Sequence, residues 1–599
     1  MRPIGQMLAH RPLFTGVLAG LLVGVFALPQ GFFTDDYIHL MTFSGAPTPG
    51  GPFDLFCFGR GNPDELQPFL ARGLLPWFTL PELKIWFFRP LSSATMALDY
   101  VLFGEAAAAY HLHSVLWYLA AILAVWLLLR RLLPGDLLAL SLLVFALDVS
   151  HMIPVGWWSS RSALVAAVPA LLGLCAHLRW REEHWRPGLP LSLLGYALGL
   201  LGGESVLGVF GYLAAYEASH AFHDRTRPFP AALRSRPSFL SFPSFWSFFK
   251  PLAPAGLLCT LYLLFYRVAG YGVSGSGGYV DPAKEPLQFL RSAPDYFFGA
   301  VATEFMLLQR ELAGALPLAA IGAAVFVALL VLLALLWLRV DGVLWQTISW
   351  IAVGAALSAL PALSGAGSGR LLFFPSIGAA VMMALIIQEG WRARGSGSRV
   401  LPAAAGSMFL LHIVLAPFCW AAASYATGEM NRQGLEAVKS IPLDAAAAPR
   451  TRLIVLTQPD PLVGVFGPMM RAAAGAPMPA KWWNMTIGVN EVVFRRTGEP
   501  TAEAGFRRPI LRDGFEQTFR DNRHPFREGE VVALGELNIT VIETLDGQPL
   551  RIAVEFERDL DDPEYLFVRW GAGRYEKVTP PSIGEEITLK RGAPFPAWP

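Results

Sequence analysis

Apolar residues run along this chain in long blocks separated by short polar connectors. Blocks fall near 13–28, 113–129, 137–150, 162–177, 189–201, 205–217, 251–268, 316–338, 344–363, 371–388 and 401–423. Most approach the ~20 apolar residues that a helix needs to cross a bilayer. The pattern therefore predicts an α-helical polytopic membrane protein with eleven spans. Arg130-Arg131, Arg179, Arg181, Arg186, Arg225, Arg227, Arg234, Arg236, Arg339, Arg392, Arg394 and Arg399 all fall on one side of that topology. The short loops opposite hold little more than Arg161 and Arg370. By the positive-inside rule the N-terminus is cytoplasmic, and everything after about residue 427 lies outside.

Two regions break the pattern. Residues 29–110 form a large first outer loop with a Pro/Gly tract, Trp77, Trp86 and pairs of Phe, which suggests pieces lying in the membrane interface. Residues 440–599 hold no spanning block. They carry β-favouring stretches at 453–456, 531–534, 539–542 and 566–570 between Gly, Asp and Pro turns. The expected domains are a transmembrane part, 1–427, and a small C-terminal β-rich extracytoplasmic domain, 440–599, that binds or positions an acceptor.

Composition agrees with the blocks. Of 599 residues 54% are hydrophobic and 16% charged, against about 25% charged in soluble chains. A net charge of +1 gives no basic footprint, so nucleic acid is excluded as a partner. Three of the four cysteines lie in apolar blocks and none forms a CxxC pair, which argues against a disulfide framework or a zinc site. The first block runs into Pro29-Gln30-Gly31-Phe32 without an A-x-A-like cleavage site, so it reads as a retained helix.

The chemistry-bearing residues gather on the outer side. Asp35, Asp36, Tyr37 and His39 follow the first block directly. Arg89, His111, His113, His151, Trp157, Trp158, Arg161, Glu204 and Arg370 stand at further outer ends. Acids at a membrane edge are costly and by default functional. A carboxylate there can take a proton from an acceptor hydroxyl, and arginines can hold a lipid phosphate by two parallel hydrogen bonds. Each residue also has a plain structural reading: a solvated acidic loop, interfacial aromatics, a snorkelling Arg161.

Three segments carry a resemblance. Phe88-Arg89-Pro90-Leu91 with Tyr110-His111-Leu112 is similar to an Arg-Pro-Leu followed by Tyr-His. Phe145-Ala146-Leu147, His151, Pro154-Val155, Trp157 and Arg161 are similar to a stretch ending in Trp and Gly-Arg. Residues 369–378 are similar to Glu-Arg-x-x-Tyr-x-Pro-Ser-x-Gly. With the acidic pair of the first outer loop, roughly residues 10–390 resemble the GT-C glycosyltransferases that use polyprenyl-phosphate-linked sugars. Within them the chain looks most like bacterial relatives of the transmembrane and TPR repeat-containing O-mannosyltransferases. The resemblance implies inverting transfer of a sugar from a polyprenyl-phosphate donor to a protein, lipid or glycan acceptor, at the outer face of a bacterial inner membrane. Asp35, with Asp36 beside it, would be the general base. Arg89, Arg161 and Arg370 would bind the phosphate, and Tyr37, His39, His111, His151, Trp157 and Glu204 would line the pocket. Ile153, Gly203 and Gly369 stand where relatives carry Glu, Lys and Glu. No metal ligand set is therefore assigned, and a divalent ion is the one cofactor kept open.

Two rival readings use the same residues. A transporter or flippase of lipid-linked saccharide also needs buried charge, but its usual internal inverted repeat is not visible. A scaffold presenting the C-terminal domain would not need the acidic pair.

Overall fold

The computed structural model describes residues 11–222, 242–310, 316–365, 369–395, 399–512 and 514–592. The chain divides into two compact units. One comprises the residues up to Gln30 with Phe88–Ala269 and Pro282–Tyr425; the other comprises Gly31–Phe87, Gly270–Asp281 and the residues from Ala426 onward.

The first unit is helical. Among the described residues seven helices are long and apolar enough to cross a membrane: Ala107–Leu129, Trp158–Glu183, Trp246–Val268, Leu318–Trp337, Gly342–Ser364, Phe373–Arg392 and Val400–Lys439. Gly135–Leu147 and Val149–Gly156 make an eighth only if their 44° bend is counted within one span. Pro12–Ala27 and Gly188–Gly202 are shorter apolar helices. The expected block near 205–217 is a 3-10 turn, Glu204–Gly208, followed by the helix Val209–Phe222. All eleven apolar blocks thus contain helix, but length and apolarity alone mark seven or eight as spans. Most of the basic connector expected between 220 and 250 lies outside the described residues.

Two long helices of this unit lie outside the expected blocks. Pro90–Phe103 occupies the end of the first outer loop, and Pro286–Met306 fills the gap before the block at 316. Both begin with proline at their first turn, where its missing N–H is no loss and its fixed φ suits the helix. Within the unit Phe373–Arg392 is central, with 89% of its apolar window buried, whereas Leu318–Trp337 is peripheral at 22%. Gly188–Gly202 packs on Ser162–Glu183 through a seam of small residues. A Cβ on Gly195 would lie 2.5 Å from the Pro169 carbonyl and 2.8 Å from Gly173 Cα, so only glycine permits this approach.

The second unit holds all thirteen strands found among the described residues. They are β1 (Cys57–Arg60), β2 (Lys84–Trp86), β3 (Gly272–Ser274), β4 (Arg452–Val455), β5 (Lys481–Asn484), β6 (Val492–Arg496), β7 (Thr501–Phe506), β8 (Val531–Ala533), β9 (Leu537–Leu545), β10 (Gln548–Phe556), β11 (Tyr565–Trp570), β12 (Tyr575–Lys577) and β13 (Glu586–Leu589). They form a three-stranded sheet β1-β2-β3, a six-stranded antiparallel sheet β13-β6-β7-β10-β9-β8, and a four-stranded sheet β12-β11-β4-β5. The four expected strands appear in β4, β8, β9 and β11.

The helix Pro461–Ala473 joins β4 to its parallel neighbour β5, a βαβ crossover inside a region that reads as β-rich. Its start is written locally: the Asp460 carboxylate accepts from Leu462 N at 2.7 Å, and Pro461 takes the first position.

Much of the first outer loop belongs to this unit's core, so the grouping differs from the expected boundaries at 427 and 440. Trp77, Phe78, Leu80 and Ile85 pack in one apolar cluster with Leu453, Ile454, Met485 and Ile539. Trp77 Nε1 donates to Met485 O at 3.1 Å, Gln67 Nε2 to Ala533 O at 2.8 Å, and Leu80 N to Phe519 O at 2.9 Å. Apolar side chains of this size must be covered by something, and here the cover includes Met485, 408 residues from Trp77 in the chain.

Candidate active site

The acidic pair opens a helix. Residues Asp35–Phe43 are α-helical, with both acids in the first turn, where the free N–H groups favour negative charge. The entry is tightly built. Gly31 has φ +76°, and Thr34 has φ +46° and ψ −112°, a conformation that β-branched residues rarely adopt. Such strain persists where the surroundings enforce it, as at functional sites. Asp36 is fully buried and its Oδ2 accepts from Phe33 N at 2.9 Å, while Asp35 is half-buried. The Thr34 hydroxyl is buried and meets no hydrogen-bond partner among the described residues.

The next residues on this helix are also placed. Tyr37 donates through its hydroxyl to Asn431 Oδ1 at 2.5 Å. Burial, reinforced by the Asp36 charge and only partly opposed by the Asn431 bond, pushes its phenol well above the ordinary range, so it acts as a neutral donor. His39 is fully buried between Phe56 and Phe58, with ring centroids 5.4 and 6.1 Å away. A small pocket beside this helix is lined by Phe33, Thr34, Tyr37, Asn431, Asp460 and Phe466, among others.

In the helical unit the remaining candidates gather around the bend at 148–162. Arg89 Nε donates to Glu204 Oε2 at 2.8 Å, and its Nη1 lies 3.4 Å from Ser162 Oγ. Tyr266 donates to the other oxygen of Glu204 at 3.2 Å. Arg161, next to Ser162, is buried and paired with Asp99, with its Nη1 3.3 Å from His113 Nδ1. Asp99 Oδ2 also accepts from Trp158 Nε1 at 3.0 Å, and Asp99 Oδ1 lies 2.5 Å from His113 Nδ1. Arg370 stands at a short 3-10 turn, Gly369–Leu371, half-buried, with its guanidinium 5.2 Å from the centre of the Trp157 ring.

His151 is packed in the core. Its Nδ1 meets Tyr118 Oη at 3.1 Å, its Nε2 meets Ser376 Oγ at 2.9 Å, and Phe145 and Phe373 cover its ring. His111 is buried near the start of Ala107–Leu129.

The helical unit therefore brings Arg89, Glu204 and Arg161 to the start of one helix, Ser162–Glu183, and sets Arg370 on Trp157. Arg161, which the resemblance offers to the phosphate, is paired with Asp99 and sealed from solvent. His151, expected to line the pocket, has both ring nitrogens engaged inside the helix packing. Asp99, the buried partner of Arg161, is the charged residue in this cluster that sequence reasoning did not single out. A lone acid inside the apolar stretch Ala97-Leu98-Asp99-Tyr100-Val101-Leu102 was the available signal. Among the described residues no three His, Cys, Asp or Glu side chains gather into a set able to hold a metal ion.

No protein-family model matches the chain, and no curated protein matches it in sequence. Among solved structures it is similar to the oligosaccharyltransferase of Archaeoglobus fulgidus. The apo form matches with TM-score 0.41 and 14% identity, and the form tethered to an acceptor peptide with 0.40 and 13%. Each match covers 79% of this chain and 64% of the other, so the chain spans less than two thirds of that protein's length.

Proposed function

We propose that the chain is a membrane glycosyltransferase that moves a sugar from a polyprenyl-phosphate donor to a hydroxyl-bearing acceptor at the outer face, with inversion and with Asp35 as general base. The acceptor oxygen attacks the anomeric carbon as Asp35 takes its proton. The bond from that carbon to the phosphate oxygen breaks, and its electron pair leaves on the lipid phosphate. Arg370 and Arg89, both solvent-reachable in part, are the cations offered to that phosphate. Arg161 is reassigned to holding Asp99, and the C-terminal domain receives the acceptor.

The observation that carries the reading is the division of labour in the acidic pair. Asp36 is buried and holds its own turn through Phe33 N, whereas Asp35 is half-buried on the same built turn. A solvated acidic loop needs neither the strained Thr34 nor the buried carboxylate.

The test uses the purified full chain in lipid nanodiscs with undecaprenyl-phosphate mannose and an acceptor extract. Release of undecaprenyl phosphate that is lost in Asp35→Asn supports transfer. Movement of intact donor across the bilayer without release identifies a flippase instead.

A further inference from the structure

The turn that carries the acids is held from the far end of the chain. Asn431 lies in the helical segment Ala416–Lys439, in the same unit as residues 31–87. Its side-chain oxygen accepts the Tyr37 hydroxyl at 2.5 Å. Its side-chain nitrogen lies where a Cβ on Gly31 would be, 2.4 Å from that position. One amide therefore touches the turn on both sides of Asp35 and Asp36, at Gly31 before them and Tyr37 after them.

Each contact is specific. Gly31 at φ +76° can be neither a larger residue nor an ordinary backbone without displacing the amide. Tyr37 is 3% exposed, so its hydroxyl has little water to replace a lost partner. The helix Pro461–Ala473 packs on Asp35–Phe43 from the same side. Its residues Val463, Phe466 and Met470 line the pocket that Thr34, Tyr37 and Asn431 share.

We propose that Asn431 is the positioning residue of the acidic turn: by gripping Gly31 and Tyr37 it sets the geometry of Asp35 and Asp36. The inference rests on the glycosyltransferase reading for its catalytic consequence, but the grip itself does not. Asn431 touches no reacting atom; it acts through the turn.

Two measurements on the full-length protein in nanodiscs separate these. The first is hydrogen exchange of the amides from 33 to 43 in Asn431→Leu, Tyr37→Phe and Gly31→Ala. All three should raise exchange there by about fivefold and leave β9 and β10 unchanged. Unchanged exchange at 33–43 in all three overturns the grip.

The second is lipid-phosphate release from undecaprenyl-phosphate mannose. Asn431→Leu should lower kcat by about tenfold with KM within twofold, as misplacement of a catalytic group requires. Asn431→Asp, which keeps the oxygen that Tyr37 donates to, should restore part of that loss. A kcat equal to that of the unaltered protein overturns the positioning role. If Asp35→Asn also keeps full turnover, or if the unaltered protein releases no phosphate, it is the glycosyltransferase reading that fails, and the exchange result still decides the grip.

Discussion

Arg161 and Asp99 form an ion pair from which solvent is excluded: the two side chains are 1% and 0% exposed. Trp158 and His113 complete the ring of partners around the carboxylate. Removing one member of such a pair leaves a buried charge without its counter-charge, at a cost of about 3–5 kcal/mol. Asp99→Asn should therefore lower the thermal unfolding midpoint of the detergent-purified protein sharply. The double replacement Asp99→Leu with Arg161→Met should cost less than Asp99→Asn alone. If Asp99→Asn melts with the unaltered protein, the pair does not hold the bend at 148–162.

Arg370 rests on the Trp157 ring, and its planar guanidinium can meet a phosphate by two parallel bonds, which the point charge of lysine cannot. Arg370→Lys should weaken donor affinity by about tenfold or more, measured by binding of a fluorescent undecaprenyl-phosphate sugar. Trp157→Leu should weaken it less, since the stacking contributes on the order of 1 kcal/mol. Equal affinity in Arg370→Lys removes Arg370 from the phosphate site.

Asp35→Asn should cut initial rates by about 10²–10⁴-fold with donor affinity nearly intact, since the amide keeps the shape and loses the base. Asp36→Asn should cost less, because its remaining oxygen can still accept from Phe33 N. A dead Asp36→Asn beside an active Asp35→Asn would move the base to Asp36.

Cutting the chain after Ala426 is expected, from the sequence, to spare donor turnover and remove only acceptor handling. The packing of the second unit leads to a different expectation. Residues 31–87 share one apolar core with the C-terminal strands, so the cut strips the cover from Trp77, Phe78 and Ile85. The truncated protein should lose donor turnover, and limited trypsin digestion should cleave at Arg60 and Arg72. Intact turnover would show that residues 31–87 fold without those strands.

The second unit also makes two predictions about titration. Burial pushes the Cys57 thiol up to about 12, so maleimide at pH 8 should leave it unlabelled until the protein is unfolded. For Asp521, burial alone would raise the carboxyl, but hydrogen bonds from Arg523 and His524 and the Arg523 charge hold it below the usual carboxylate range. A depressed folded value adds stability that is present above the unfolded value of about 3.9 and fades as pH falls through the folded one. Asp521→Asn should thus lower the melting temperature at pH 7, and the difference should shrink in acid. A difference that does not change with pH would assign its effect to shape alone.

The amino-acid sequence by itself determined the helical blocks and the β-favouring stretches at 453–456, 531–534, 539–542 and 566–570, because apolar runs and β-branched pieces are local signals. It also singled out Asp35-Asp36, because two acids directly after an apolar block are conspicuous in composition alone. Only the tertiary structure decided what those residues meet. It gave Arg161 the buried partner Asp99. It placed the first outer loop on the C-terminal core, and it laid Asn431 across the acidic turn, 394 residues from Tyr37 in the chain. No periodicity records such pairings. A buried polar group must find a partner, but which partner it finds depends on how distant segments close around it.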